Sequence, residues 1–78
     1  MQLDIITPDA NLFSGEVTSV ILPGVDGKLG VLNNHAPLIT TLAKGNVTIT
    51  KSNGQTENFE TNGGVVEVLN NKIIVLAE

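Results

Sequence analysis

The sequence contains no cysteine, tryptophan, tyrosine or arginine, and it has one histidine among its 78 residues. Without cysteine the chain can form neither a disulfide nor a thiolate metal site. The missing arginine and the single imidazole leave few of the side chains from which active sites are usually built. No apolar run approaches the roughly 20 residues that cross a bilayer as a helix. We therefore expect no catalytic residue, no metal ligand, no cofactor and no enzyme that acts alone.

Acidic residues outnumber basic ones two to one. Four lysines and eight carboxylates give a formal net charge of −4. A surface of this sign repels phosphate groups and anionic lipid headgroups, so neither nucleic-acid binding nor direct membrane insertion is expected. The carboxylates are spread along the chain without a spacing that suggests an acid and base pair, which is typical of a solvated surface.

The residues that are abundant are β-branched or turn-forming. Val, Ile and Thr supply 24 residues, and Asn, Gly and Pro supply 20 more at short intervals. Stiff β-branched side chains suit a pleated surface, and the scattered turn formers divide it into short strands. The expected fold is all-β, one sandwich or flattened barrel over residues 1–78 with no long helix. Strands are expected at residues 2–7, 16–22, 28–32, 38–42, 46–51, 55–61, 65–69 and 72–77.

A hairpin is expected across Asn53-Gly54, because this dipeptide tolerates the positive φ of a tight turn. The preceding segment 46–51 alternates apolar and polar side chains, as a half-buried strand does. The returning segment 55–61 has Phe59 as its only large apolar residue. This pattern predicts a polar edge strand that one ring anchors.

The last hairpin, formed by segments 65–69 and 72–77, is apolar on both faces apart from Glu67. A strand with two apolar faces is typical of a buried position. We therefore expect this hairpin in the interior of the fold.

Residues 23–30 hold three glycines and one lysine, a composition that raises the question of a phosphate-binding loop. Such a loop needs glycines before a helix N-terminus, with a lysine followed by Ser or Thr. Here β-branched and apolar residues follow instead of a helix. The pattern favours a tight turn between two strands, in which glycine supplies positive φ.

His35 is the only imidazole, so it is the one candidate for acid–base chemistry. A nucleophilic triad needs a nearby serine and an orienting carboxylate, and a zinc site needs three protein ligands. Neither pattern accompanies His35. We expect a structural role, in which the ring nitrogens hold the loop before Ala36-Pro37. A small hydrolase that uses His35 is a competing hypothesis.

Several fragments, taken in order, resemble the amino-terminal domain of the epsilon subunit of F-type ATP synthases, and the resemblance covers essentially the whole chain. The matching fragments are Leu12-Phe13-Ser14-Gly15-Glu16-Val17, the run from Leu22 to Leu32, His35-Ala36-Pro37-Leu38, Gly63-Gly64-Val65-Val66-Glu67-Val68 and Val75-Leu76-Ala77. The resemblance implies a ten-stranded β-sandwich in the central stalk of the enzyme. It also implies a rotor subunit without an active site, which binds the gamma subunit and the ring of c subunits and couples ion flow to ATP synthesis. Such a subunit lies at the cytoplasmic face of the bacterial inner membrane as a peripheral protein.

The resemblance also assigns contact residues. Asp26, Gly27, Lys28, Leu29 and Gly30 match the family segment that faces the c ring. The family often has a carboxylate at the position of Lys28, so this chain reverses a charge there and Asp26 is the alternative partner for a basic ring residue.

A second matching segment, His35, Ala36, Pro37 and Leu38, lies near the gamma subunit in the family. Family members commonly have Pro-Gly before this histidine, whereas this chain has Asn33-Asn34. Both dipeptides suit a turn, so we expect the same chain path with a different turn type.

Family members usually continue into a two-helix carboxy-terminal domain, and this sequence stops at Glu78. We expect a naturally short form rather than an excised domain. The alternative to the rotor subunit is a stand-alone β-sandwich module that binds a glycan or a protein. That alternative predicts surface aromatic residues for stacking on sugars, and the chain has only Phe13 and Phe59.

Overall fold

The computed structural model describes the whole chain, residues 1–78, and contains eight β-strands and no helix. The all-β class expected from composition is therefore confirmed. The strands are β1 (Gln2–Ile6), β2 (Asn11–Gly24), β3 (Gly27–Leu32), β4 (Leu38–Leu42), β5 (Gly45–Lys51), β6 (Thr56–Thr61), β7 (Gly64–Leu69) and β8 (Lys72–Ala77).

The count of ten strands implied by the resemblance is wrong, and the eight segments expected from the residues are all present. The physical reason lies largely in β2, which runs for 14 residues without a break and serves both layers of the fold. The segments that separate β1 from β2 and β3 from β4 contain Pro8 and Pro37, which have no N–H to donate to a ladder. These segments form turns and add no strand.

The two layers of the fold are joined through β2. The first part of β2 pairs with β1, and the sheet continues from β1 through β8 and β7 to β4. The second part of β2 lies between β3 and β5, with β6 beyond β5. A pairing between Gly24 and Leu42 brings β4 back to β2, so the first layer closes on itself. The architecture is a β-sandwich that approaches a flattened barrel.

One apolar core fills the space between the layers. Alternate side chains of the strands point inward, since successive residues of a strand face opposite sides. The cluster contains 15 buried apolar residues: Met1, Leu3, Ile5, Val17, Val20, Leu22, Val31, Leu42, Val47, Ile49, Val66, Val68, Ile73, Val75 and Ala77. Burying one Val, Leu or Ile side chain contributes about 1.5–3 kcal/mol, so this cluster supplies the main stabilisation of the fold.

The strand β6 is an edge strand, as its single large apolar residue predicted. The rings of Phe59 and Phe13 meet edge to face, with centroids 6.0 Å apart and an interplanar angle of 62°. This pair packs against the core from its rim and attaches β6 to the body of the domain.

The β7–β8 hairpin does not lie wholly in the interior, contrary to the expectation from its two apolar faces. Val66 and Val75 pair across the hairpin and are fully buried. Val65 and Leu76, the adjacent pair, are 40% and 52% exposed. A chain of this size forms only two layers, so one face of each strand must remain at the surface.

Candidate interaction surfaces

The glycine-rich segment forms the turn between β2 and β3. Gly24 pairs with Gly27, which leaves Val25 and Asp26 as a two-residue loop. Gly27 has a φ of +122°, so the prediction of a tight turn that uses glycine is confirmed. A strand follows the turn, and the segment therefore offers no helix N-terminus to a phosphate group.

The turn presents the residues assigned to the c ring at the surface. Asp26, Gly27, Lys28 and Gly30 are exposed. Leu29 is half-buried and packs against the core. The solvent-facing part of this segment therefore consists of backbone, one carboxylate and one ammonium group.

His35 fixes the shape of the loop between β3 and β4. Its Nδ1 lies 2.8 Å from the carbonyl oxygen of Ala36, and its backbone N–H donates to the carbonyl of Leu32 at 3.2 Å. Both contacts are local to the loop. The geometry therefore agrees with the structural role expected for this imidazole.

Asn33 and Asn34 attach the same loop to distant parts of the chain. The α-amino group of Met1 donates to Oδ1 of Asn33 at 3.0 Å. The backbone N–H of Asn34 donates to Oδ1 of Asn71, in the turn between β7 and β8, at 2.8 Å. Asn34 adopts a φ of +62°, which asparagine tolerates better than most residues. The dipeptide thus does more than form a turn, because each of its members holds the loop in place.

The two segments assigned to partners come close to each other through one residue of each. A cavity of about 220 Å³ separates the β2–β3 turn from the first half of β4. Leu29 of the first segment and Leu38 of the second both line this cavity, together with Thr40. The two segments therefore approach each other at Leu29 and Leu38, while the turn itself lies near Leu42 and the His35 loop lies near Asn71.

The first layer has an apolar outer face that the sequence analysis did not identify. Its side chains point away from the core on β1, β8, β7 and β4. The face consists of Ile6, Ile39, Val65, Leu69, Ile74 and Leu76. Ile39 is 70% exposed, more than any other large apolar side chain of the protein.

Part of this apolar outer face is continuous across the strands, and the exposed Glu67 lies between Ile39 and Ile74, with which it pairs. Val65 pairs with Leu76, and Leu76 pairs with Ile6, so three apolar side chains form a row over β7, β8 and β1. A groove of about 340 Å³ lies beside Ile39, and its apolar lining comes from Pro37 through Ile39 and from the end of β7. A second groove of about 390 Å³ lies along the row itself and is lined by all three of its side chains.

On the outer face of the second layer, β5 and β6 carry polar side chains, whereas Ile21 of β2 and Leu32 of β3 are exposed apolar residues. Thr48 and Thr50 of β5 and Asn58 of β6 point outward there. The Oγ1 of Thr48 donates to Oδ1 of Asn58 at 2.6 Å. The outer face of the first layer carries six apolar residues against Ile21 and Leu32 of the second, and a larger exposed apolar surface is typical of an interaction site.

The signal for the apolar outer face was present in the sequence. The strands β7 and β8 carry apolar residues on both of their faces, and this pattern predicts complete burial. A domain with only two layers cannot bury both faces of its strands, so the second set of apolar residues remains at the surface.

No group of three or more His, Cys, Asp or Glu side chains is arranged to hold a metal ion. The structure also contains no helix that is long and apolar enough to cross a membrane.

The molecule is thus a two-layer β-sandwich with exposed apolar side chains on the outer face of its first layer. The family model described as "ATP synthase, Delta/Epsilon chain, beta-sandwich domain" matches residues 1–78. The chain belongs to this family.

Curated relatives agree with the family model. An ATP synthase epsilon chain of Dichelobacter nodosus is 47% identical over 77 residues, covering 99% of this chain and 54% of that protein. An ATP synthase epsilon chain of Chlorobium limicola is also 47% identical over 77 residues, and there the match spans 88% of the relative. The chain thus spans about half the length of the first relative and nearly all of the second.

Solved structures share the fold. One chain in the cryo-EM structure of the Euglena gracilis mitochondrial ATP synthase, OSCP/F1/c-ring, matches with a TM-score of 0.90 at 21% identity, covering 96% of this chain and 48% of that one. One chain in the central stalk/c-ring structure of the Tetrahymena thermophila mitochondrial ATP synthase matches with a TM-score of 0.82 at 16% identity, covering 97% of this chain and 61% of that one. At these identities the likeness establishes the β-sandwich and nothing further. The stand-alone glycan-binding module finds no support among these relatives.

Proposed function

We propose that this β-sandwich belongs to a non-catalytic central-stalk subunit of a proton-translocating ATP synthase, which couples rotation of the c ring and the gamma subunit to ATP synthesis. The observation that carries the proposal is the apolar outer face in a member of the epsilon-chain family. A subunit that transmits torque has to be held by its neighbours, and exposed apolar surface supplies that attachment. In this setting the domain is peripheral to the cytoplasmic face of the bacterial inner membrane.

The gamma subunit binds, in this proposal, to the loop His35–Leu38 and to the apolar outer face that begins at Ile39. Two features support the assignment. The groove beside Ile39 is lined by Pro37, Leu38 and Ile39 together, so the loop and the face form one surface. The hydrogen bonds of Asn33 and Asn34 hold the loop in one conformation before binding, which lowers the entropic cost of docking.

The c ring meets, in this proposal, the turn Asp26–Gly30, which lies at the Leu42 end of β4. Asp26 and Lys28 are both exposed there, so the turn offers one charge of each sign to polar ring loops. Lys28 stands where the family often carries a carboxylate. The ring loops of this organism therefore place an acidic or neutral group opposite Lys28, or a basic group opposite Asp26.

Mechanical coupling requires that the two contact sites keep a fixed distance. The layer β1–β8–β7–β4 closes onto β2, so the first layer leaves few strand edges free. The buried core between the layers is packed, and packed interiors resist deformation. The domain itself thus acts as a stiff spacer between ring and stalk and performs no catalysis.

The experiment is co-elution with the purified cognate gamma subunit on size-exclusion chromatography. The chain should elute as a 1:1 complex with gamma. Ile39→Asp places a charge in the apolar outer face and should weaken the complex at least about tenfold, since each 1.4 kcal/mol corresponds to a factor of ten. Asn58→Asp adds the same charge to the polar face of the second layer and should leave binding unchanged. Equal binding by both variants, or separate elution of the unmodified chain at micromolar concentration, would overturn the proposal.

A further inference from the structure

Gly30, in the middle of β3, is a glycine that the fold does not require. Its φ is not in the left-handed region, and a Cβ built on it would meet no atom within 4 Å. The other glycines have internal reasons: positive φ at Gly27, Gly54, Gly63 and Gly64, and a neighbour within 2.8 Å of the added Cβ at Gly24 and Gly45, or the Phe13 ring at 3.4 Å at Gly15. Glycine weakens a strand, because it restricts the unfolded chain least and packs no side chain.

The backbone at Gly30 lies on a free strand edge. β3 pairs with β2 alone. In the hairpin closed by Gly24 and Gly27, the alternating antiparallel pattern directs the N–H and C=O groups of Gly27, Leu29 and Val31 to β2. Those of Lys28, Gly30 and Leu32 point away from β2, and only the carbonyl of Leu32 has a partner there, the N–H of His35 at 3.2 Å.

We propose that β3 is a docking edge, to which an extended segment of another polypeptide adds antiparallel to Lys28–Leu32. A glycine inside a strand marks a place where another backbone approaches closely, and Gly30 has no neighbour of its own chain that needs the space. The unpaired donors and acceptors of β3 complement a peptide backbone in extended conformation. The proposal goes beyond the rotor function, since it names the mode of binding and the chemistry of the segment.

The side chains along the edge specify that chemistry. Lys28, Gly30 and Leu32 point to the same outer face, and Leu32 is 64% exposed. Ile21, directly opposite Gly30 on β2, is 43% exposed because glycine covers none of it. An aromatic side chain across from an edge glycine covers such a gap. Read from its N-terminus, the segment carries an apolar residue opposite Leu32, an aromatic residue opposite Gly30 and a carboxylate opposite Lys28.

A second lysine supports the carboxylate at the end of this segment. Lys28 and Lys44 line one cavity of about 360 Å³, together with Ile21, Asn46 and Thr48. Neither ammonium group has a carboxylate within 4.0 Å, and the ion pair of Lys51 with Glu57 is the only one made by a lysine. Two lysines without an ion-pair partner at one cavity favour a carboxylate on the segment, although Asp26 and Glu60 line the neighbouring cavities. The net charge of −4 disfavours a second copy of this chain as the occupant.

The test uses the full chain and a synthetic probe, the acetylated and amidated peptide Thr-Val-Thr-Tyr-Thr-Glu-Thr, followed by amide hydrogen exchange in NMR spectra. The peptide should slow exchange of the Lys28 and Gly30 amides about tenfold at ten times its Kd, because protection grows with the bound fraction. The Leu29 and Val31 amides, already bonded to β2, should not change. A peptide with lysine in place of glutamate should bind more weakly.

Two variants separate edge pairing from contact with side chains alone. Gly30→Pro removes the donor on the free edge and should abolish the protection of Lys28, whereas Gly30→Ala keeps the donor and should retain it. Far-UV circular dichroism checks that both variants fold. Thr56→Pro removes an N–H from the free edge of β6 and should bind the peptide as the unmodified chain does. Absence of protection at millimolar peptide, or protection elsewhere, overturns the proposal. Concentration-dependent protection of the same amides without peptide makes a second copy the occupant and overturns it as well. None of these outcomes depends on binding to gamma.

Discussion

The backbone N–H of Asn34 donates a 2.8 Å hydrogen bond to Oδ1 of Asn71, and this bond joins the loop before β4 to the turn between β7 and β8. The two residues are 37 positions apart in the sequence. Both residues have positive φ, +62° and +61°, a conformation that asparagine tolerates. The conformation of each turn therefore also depends on its asparagine. The loop that carries His35 is therefore positioned by a distant hairpin.

We expect Asn71→Gly to release this loop without disturbing the turn. Glycine keeps the positive φ but removes Oδ1, so the variant should lose about 1 kcal/mol of stability, the usual net value of a hydrogen bond. Exchange of the Asn34 amide should accelerate, and binding to gamma should fall a few-fold. Asn70→Gly is the control, since Asn70 also has positive φ but its side chain makes no hydrogen bond. Denaturant unfolding measures the stability and amide exchange measures the protection of Asn34. If the two variants give the same values, the Asn71 hydrogen bond does not hold the loop.

Gly64→Ala and Gly30→Ala should differ sharply in stability. Gly64 has a φ of +140°, and an added Cβ would collide with the carbonyl oxygen of Leu76. The strained backbone alone costs about 1–3 kcal/mol, and the collision adds to it. Gly30 has neither constraint, and alanine there should be neutral or stabilise by up to about 1 kcal/mol. Thermal unfolding followed by far-UV circular dichroism ranks the two, and a large loss for Gly30→Ala would show that its environment is misassigned.

Ile73→Ala and Leu76→Thr test the two faces of β8 in the isolated chain. Ile73 is fully buried, so its truncation should cost about 2–5 kcal/mol. Leu76 is 52% exposed, and threonine there should change stability by no more than about 0.5 kcal/mol. For binding to gamma the order should be reversed: Leu76→Thr should weaken the complex more than Ile73→Ala, since Leu76 lies in the proposed interface. If both substitutions cost the same in urea unfolding, the outer face is not exposed in solution.

The eight strands could be predicted from the sequence because β-branched segments and turn residues alternate clearly along the chain. The edge position of β6 followed from Phe59, whose ring is the only large apolar group that the strand offers. Tertiary pairing decided the rest. Nothing local showed that β2 continues from Asn11 to Gly24, because its ends are stabilised by β1 and β3 rather than by their own propensity.

The candidate site was less accessible to sequence reasoning. His35 and the turn at Gly27 were identified, but the approach of Leu38 to Leu29 depends on β4 folding back against the β2–β3 turn. The roles of Asn33 and Asn34 require partners 32 and 37 residues away, which no local pattern reveals. The apolar outer face was misinterpreted as core because hydrophobicity alone does not distinguish contact with the same chain from contact with another.

The most direct test of the central claim is site-specific photo-cross-linking in the assembled membrane complex. A photoreactive amino acid at Ile39 or Leu69 should form cross-links to the gamma subunit, and the same amino acid at Asn58, on the polar outer face, should form none to gamma. Cross-links to gamma from Asn58, with none from Ile39 and Leu69, would show that the apolar outer face is not the surface that binds the stalk.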